Sequence, residues 1–277
     1  MKINILIVGR KSFIGSNLFN SFKKKFSVKI KNFENIKNKN RKYFKRFDYI
    51  INCTSNKRYI TSRYYSKCDH DYLIAQKIKK LDIIQIFLST RKVYSIKNNI
   101  KETQKPDPKC NYSKNKLKTE KKLIKLLKKR VLILRISNLI GINNFKNKKR
   151  KLHKTFNDIF FENIKKGVLI RNNKIYKDFL SVNKFSEIVE KLIKQGVVGI
   201  YNISLGKKVY LEKLINWLNT FNSHQNKLID MPNNYNNQCF YLNNDKLMKK
   251  INIKNRLIDL EKDCKSISKF FFKKKNK

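Results

Sequence analysis

The chain has 277 residues, 40% of them hydrophobic, with 19 Phe and 13 Tyr, which suffices for one large α/β domain with or without a smaller lobe, so disorder is not the default reading. Lys and Arg number 67 against 19 acidic residues, a formal net charge of +48, yet the lysines run along the whole chain with abundant Asn and Ile. The excess therefore reads as compositional: no dedicated nucleic-acid surface is expected, although the field favours anionic ligands such as nucleotide phosphates.

No apolar run has the length of a membrane span, and the opening MKINILIVGR is too short and strand-like for a signal peptide. Cys53, Cys68, Cys110, Cys239 and Cys264 are scattered and form no CxxC, so neither a disulfide framework nor a structural zinc is expected, and a reducing cytoplasm fits.

In chain order, INILIV (3–8) is a continuous apolar run ending at Gly9, the pattern of a strand buried on both faces. A helix is predicted over 14–25, a short strand at Val28–Ile30 and another at Tyr49–Asn52 after Asp48. A helix over 69–81, a strand at Ile83–Leu88, a long Lys-rich helix over 111–129 and a strand at Val131–Ile136 continue the alternation. Alternating strands and helices imply a Rossmann-type doubly wound parallel sheet. Beyond Gly141 the chain changes character: a basic loop over 142–151, a helix at Thr155–Lys165 and a strand near Val168–Ile170. A helix over 184–195, a strand at Gly199–Ser204, a helix over 210–220 and a strand–helix segment from Phe240 follow, and the terminal KKKNK reads as a frayed tail. The expected division is a nucleotide-binding domain over 1–142, joined by parts of 178–204, and a mainly substrate-binding lobe over 143–277.

Three motifs carry chemistry. Gly9-Arg10-Lys11-Ser12-Phe13-Ile14-Gly15 follows a strand and opens a helix, so a helix N-terminus would face a dinucleotide pyrophosphate. Ser12 stands where the usual fingerprint has its middle glycine, and its side chain is expected to crowd the approach to phosphate. Tyr112 and Lys116 are four apart on one helix, so both face the same way and the ammonium favours a phenolate. Ser89 and Thr90 end a buried strand, where ligands meet open α/β sheets.

The order of these pieces resembles the extended short-chain dehydrogenases/reductases of the NAD-dependent epimerase/dehydratase family. VGRKSFIGSNL, DYIINCTS, FLSTRKVYS, YSKNKLKTE, LRISNLIG, KDFLSVNKF and GIYNISLGKKVYLEKLI follow one another from about residue 3 to 215. The resemblance implies that Thr90, Tyr112 and Lys116 are the catalytic Ser/Thr, the acid/base and the lysine that also holds the nicotinamide ribose. It places Cys53, Thr54 and Ser55 beside the cofactor, and Asn138, His153 and Lys177 with Thr90 around a nucleotide-sugar, Lys177 at its phosphates. It also implies a homodimer through a helix pair that includes 111–129.

Departures narrow the reaction. Family dehydratases carry Asp-Glu after the active-site Thr; this chain has Arg91-Lys92, so elimination of water is disfavoured. Asn183 replaces a usual Asp, and the stretch between the second strand and Asp48 is short, as in reductases of nucleotide-linked 4-keto sugars. Where NAD sites carry an acid after the second strand, this chain has Lys29-Ile30-Lys31-Asn32, with Arg10 and Lys11 in the turn, so NADP is favoured over NAD. The expected function is a nucleotide-sugar 4-epimerase or 4-keto-sugar reductase, of the kind that serves polysaccharide biosynthesis. The alternative is a non-catalytic protein of the same fold that senses NAD(P) or binds RNA.

Overall fold

The computed structural model describes residues 2–142, 156–171, 174–223, 227–230 and 239–273. The first apolar run becomes β1 (Asn4–Val8), and Ser12 caps α1 (Phe13–Phe22). β2 (Ser27–Lys31), the one-turn α2 (Arg41–Phe44), β3 (Tyr49–Asn52), the short α3 (Lys57–Thr61), α4 (His70–Ile78) and β4 (Ile84–Thr90) follow. A single 3-10 turn over Arg91–Val93 leads to α5 (Asn111–Leu127) and then β5 (Val131–Ile136). The remaining elements are β6 (Asn138–Ile140), α6 (Phe156–Lys165), β7 (Val168–Arg171), β8 (Tyr176–Lys177), β9 (Phe179–Ser181) and α7 (Val182–Lys194). β10 (Gly199–Ile203), β11 (Val209–Tyr210), α8 (Leu211–Asn219), β12 (Lys227–Asp230), α9 (Asp245–Ile251) and α10 (Leu257–Lys273) complete the chain.

Six strands form one parallel sheet in the order β10-β5-β4-β3-β1-β2. Period-two alternation explains the unbroken apolar runs, because each face has its own cover. Ile5 and Ile7 of β1 and Leu132 and Leu134 of β5 join one core with Leu18 and Phe22 of α1, Phe185 and Leu192 of α7 and Leu247 of α9. Leu6, Val8, Val131 and Ile133 enter the opposite core with Ile74 and Ile78 of α4 and Leu123 and Leu127 of α5. A third core, with Phe160, Phe179, Leu214, Trp217, Leu260 and Cys264, gathers α6, α8 and α10 into a lobe beside the sheet. Residues 182–203 thus pack with the sheet, although they follow part of the lobe in sequence.

The short passage from β2 to β3 is as the sequence implied: only a 3-10 turn and α2 intervene. The chain crosses β1 there, so the sheet changes direction between β1 and β3, where open α/β sheets bind ligands at their carboxyl edge.

Several boundaries differ from expectation, each through a local cap. Asp69 accepts from the Tyr72 N–H and starts α4, which ends at Ile78, short of 81. Ser181 accepts from the Lys184 N–H and starts α7 at Val182. α2, α3, the second of the two helices that follow Phe240 (α10) and the short strands β6, β8, β9, β11 and β12 were not predicted, and the strand expected near Phe240 is reduced to an isolated bridge between Leu242 and Ile100. Residues 143–151 of the expected basic loop, His153 and the tail residues 274–277 lie outside the described residues. Among the described residues no helix is long and apolar enough to cross a membrane.

Candidate active site

Because every pair in the central sheet is parallel, the ends of β1, β3, β4 and β5 meet on one edge, and the predicted motifs lie there. Gly9 turns out of β1 with φ +123°, a conformation suited to glycine, and its N–H donates to the Lys31 carbonyl at the end of β2. The Cys53 N–H donates to Val8 O at 2.7 Å, so the backbone of Cys53, Thr54 and Ser55 follows the same edge.

Ser12 corrects an expectation. Its side chain folds back into the turn: Oγ donates to the Gly9 carbonyl at 3.0 Å and accepts from the Gly15 N–H at 2.9 Å. It caps α1 rather than crowding the approach. Helix geometry leaves the N–H groups of Phe13 and Ile14 without intrahelical acceptors, available to an anion. Arg10 and Lys11 are exposed beside the turn.

The missing side chains of Gly9 and Gly15 let the turn and α1 pack closely against the strand ends. A Cβ on Gly15 would overlap the Gly9 carbonyl oxygen and stand 2.7 Å from Ser12 Oγ, and one on Gly9 would stand 3.0 Å from Thr54 Cγ2. Gly9, Ser12, Phe13, Ile14 and Gly15 therefore fit a dinucleotide pyrophosphate against the helix N-terminus. Gly15→Ala is expected to lower stability by about 1–3 kcal/mol through overpacking. It should also remove the rise in melting temperature that NAD(P) gives the parent protein; a retained ligand-induced rise would show that the turn does not hold the cofactor.

Beside the turn, Phe33 and His70 stack with ring centroids 3.6 Å apart, and Thr54 Oγ1 meets His70 Nδ1 at 2.9 Å. Burial pushes His70 down to about 4, so its ring is neutral near pH 7. Asp71, held by the Asn52 amide at 2.8 Å, is pushed up to about 7, chiefly by burial.

Thr90 ends β4 half-buried. Its Oγ1 accepts from the Lys92 N–H at 3.2 Å, which leaves the hydroxyl hydrogen to donate elsewhere. Tyr112 and Lys116 stand one turn apart on α5, with Lys116 Nζ 5.9 Å from the Tyr112 ring centroid. Lys116 is 5% exposed, and its ammonium donates to the Leu88 carbonyl at 2.8 Å, two residues before Thr90. The structure thus brings Thr90, Lys116 and the helix that carries Tyr112 to the end of one strand.

Asn138 begins β6, and its amide donates to the Asp178 carbonyl at 3.0 Å. Asp178 is fully buried and accepts from the backbone N–H groups of Leu205, Gly206 and Leu242, pinning three segments together. Lys177 precedes it in β8, and Asn183 donates to Asp263 at 3.0 Å.

Sequence reasoning passed over a polar network directly behind this edge. Ser89, Glu120, Arg135, Tyr94 and Asn202 form a buried chain of hydrogen bonds from β4 through α5 and β5 to β10. Its signal was present: Tyr112, Lys116 and Glu120 continue one i, i+4 row, and Arg135 interrupts an apolar strand. The Phe33–His70 stack had no comparable signal, because only the fold joins the two.

The family model "NAD dependent epimerase/dehydratase family" matches residues 5–204. The chain belongs to this family. Solved structures share its fold: UDP-N-acetylglucosamine 4-epimerase from Methanobrevibacter ruminantium M1, in complex with UDP-N-acetylmuramic acid, is 19% identical with a TM-score of 0.79, covering 99% of this chain and 100% of its own. dTDP-glucose 4,6-dehydratase from Bacillus anthracis, in complex with NAD, is 17% identical with a TM-score of 0.74 over 99% of this chain and 97% of its own. A dTDP-4-dehydrorhamnose reductase from Clostridium acetobutylicum is 15% identical with a TM-score of 0.75 over 97% and 99%. No curated protein sequence matches the chain. One family fold thus carries epimerases, dehydratases and reductases, and the choice among them rests on side chains.

Proposed function

We propose that the protein is an NAD(P)-dependent enzyme acting at C4 of a nucleotide-linked sugar, as a 4-epimerase or a 4-keto-sugar reductase. The observation that carries this reading is the convergence of Thr90, Lys116 and the Tyr112-bearing helix at the end of β4, beside the glycine turn. That the solved relatives act on UDP- and dTDP-sugars supports the substrate class.

In this reading the Tyr112 phenol oxygen takes the proton from, or returns it to, the sugar oxygen at C4, as a general acid/base. The Thr90 hydroxyl donates to the same oxygen and orients it. The buried Lys116 ammonium stands one helical turn from Tyr112 and reaches the nicotinamide ribose. The nicotinamide, when bound, supplies hydride exchange at C4. Lys177 and Asn138 hold the nucleotide side of the substrate. Elimination of water is disfavoured because Arg91 and Lys92 occupy the place of the acid pair that would perform it.

The decisive experiment incubates the protein with NAD(H) or NADP(H) and a panel of UDP-, dTDP- and GDP-sugars, following absorbance at 340 nm and product identity. Conversion at C4 is expected; absence of both turnover and nucleotide-sugar binding would sink the proposal.

The cofactor is proposed to be NADP. β2 ends in Lys31, half-buried beside Gly9, and the nearest acid beyond it, Glu34, is paired with Lys37. Lys31→Glu is expected to move the NADP-to-NAD affinity ratio about tenfold towards NAD, the worth of about 1.4 kcal/mol at the 2′-phosphate. An unchanged ratio would exclude Lys31 from that contact.

A further inference from the structure

The lysines run along the whole chain, but the acids do not cover the whole surface. On α7, Lys184 pairs with Glu187 and Lys194 with Glu190, and on α10 Lys265 pairs with Glu261. The side of the sheet covered by α4 and α5 is built differently. The water-facing side of α5 carries Lys114, Lys118, Lys121, Lys122 and Lys125. Among the described residues none of the five meets a carboxylate. The acids of α4 and α5 are turned inward: Asp71 holds Asn52, and Glu120 receives Arg135. Asp69, which caps α4, is buried as well, and the exposed Asp82 lies beyond the helix, before β4. Lysines three and four apart repel one another along a helix, and α5 keeps a repulsion that α7 and α10 relieve. A lysine-rich composition puts lysine on every face; it does not strip the acids from one of them.

The patch is broad. α5 packs against both α3 and α4. The ammonium groups of Lys118 and Lys122 stand 4.8 and 5.0 Å from the Tyr64 ring centroid, and that of Lys122 stands 4.3 Å from the Tyr72 centroid on α4. The Arg58 guanidinium of α3 lies 4.9 Å from the Tyr65 centroid in the link to α4. The charge therefore spreads over three helices in two dimensions, with Ile124, 42% exposed, among the lysines.

A second copy of the chain fits this face poorly, because a two-fold axis would bring the same lysines against one another. A nucleic-acid strand engages a line of cations and open aromatic faces. Here the cations form an area, and Tyr64 and Tyr72 are half-buried with ammonium groups on their rings. A planar array of anionic headgroups matches an area of charge, and its lipids move sideways to meet cations wherever they stand. An isoleucine exposed among lysines also suits the boundary between headgroups and acyl chains.

We infer that the face formed by α3, α4 and α5 docks the protein on an anionic lipid membrane surface. The inference stands apart from the nucleotide-sugar reading. It competes with the homodimer that the resemblance implies, which would cover the same helix.

Binding is measured by co-sedimentation of the full chain with vesicles at about 0.15 M salt. One set of vesicles is phosphatidylcholine alone; the other mixes phosphatidylcholine with phosphatidylglycerol, about two to one. Two variants each lose four charges. One carries Lys114→Gln, Lys118→Gln, Lys121→Gln and Lys125→Gln. The control carries Lys23→Gln, Lys24→Gln, Lys249→Gln and Lys250→Gln, exposed positions beside the elements of the opposite core. The parent is expected to bind the anionic vesicles and not the neutral ones. The α5 variant is expected to lose at least about tenfold in partition coefficient, and the control less than about threefold. The melting temperature of the α5 variant should not fall, because mutually repelling charges are gone.

Equal losses in both variants would assign the attraction to overall charge and overturn the inference. Equal binding to neutral and anionic vesicles, or binding to neither, would overturn it as well. Polyuridylate bound more tightly than the vesicles, and released by the α5 variant, would hand the face to nucleic acid. A parent dimer in sedimentation velocity that dissociates in the α5 variant would hand it to a second copy. Both results would overturn the membrane inference, and none of these outcomes bears on the nucleotide-sugar function.

Discussion

Tyr112→Phe is expected to lower turnover by about 10²–10⁴-fold, the usual worth of a positioned general acid/base. The phenyl ring of Phe fills the same space on α5, so the fold and the glycine turn are left intact. NADP affinity, read by calorimetry or thermal shift, should change less than about twofold, because the proposed cofactor contacts lie mainly at Gly9–Gly15 and Lys116. The contrast with Lys116→Met makes the test specific. Lys116 is buried and donates to the Leu88 carbonyl, so its loss should weaken both turnover and cofactor binding and leave that carbonyl unpaired. Unchanged turnover in Tyr112→Phe would remove the acid/base assignment. Equal losses of cofactor binding in both variants would reduce Tyr112 to a binding residue.

What the sequence disclosed about this site follows from how local each signal was. The glycine turn was legible because strand, glycine spacing and helix lie within eighteen residues, and one helix turn carries both Tyr112 and Lys116. Even there the identity of Ser12 misled: read as an obstruction, it is the α1 cap, and only three-dimensional placement of its hydroxyl against Gly9 and Gly15 distinguishes the two. Strands of the central sheet were legible where burial on both faces makes them continuously apolar, as at Ile5–Val8 of β1. The two-residue strands β8 and β11 were not, because their pairing is a property of the assembled lobe rather than of their own residues. α10 is a different kind of omission. Leu257, Leu260, Cys264, Ile267 and Phe271 recur at three- and four-residue intervals, so its buried stripe was written in the sequence and simply lay beyond the recognised motifs.

Arg91 shows the limit from the other side. The sequence identified Arg91-Lys92 as a departure and drew only a negative conclusion, against dehydration. The packing of the Arg91 guanidinium on the Phe240 ring, some 150 residues away, has no periodicity to read, because only the fold joins the two.

Glu120→Ala is the substitution expected to cost most in stability, about 3–5 kcal/mol by chemical denaturation. The Glu120 carboxylate receives Arg135 Nη2 at 2.7 Å and Nε at 3.2 and 3.3 Å, and the Ser89 hydroxyl as well. Both partners are nearly sealed from water, with side-chain exposures of 2% and 5%. Removing the carboxylate strands the guanidinium in a low-dielectric interior, where Tyr94 at 2.8 Å is its only other side-chain acceptor among the described residues. The cost should therefore arise from the orphaned charge more than from the lost pair. It follows that Glu120→Leu combined with Arg135→Met should be less destabilising than Glu120→Ala alone, since the double variant removes both charges. The same change should reach the active edge. Ser89 precedes Thr90 and its hydroxyl donates to Glu120, one helical turn beyond Lys116, so the Glu120 carboxylate clamps the end of β4 to the helix that carries Tyr112. Turnover in the double variant, measured well below its melting temperature, should fall although Thr90, Tyr112 and Lys116 are all present. A single-variant cost below about 1 kcal/mol would show that water reaches Arg135 and that the clamp is not what holds the two halves of the site in register.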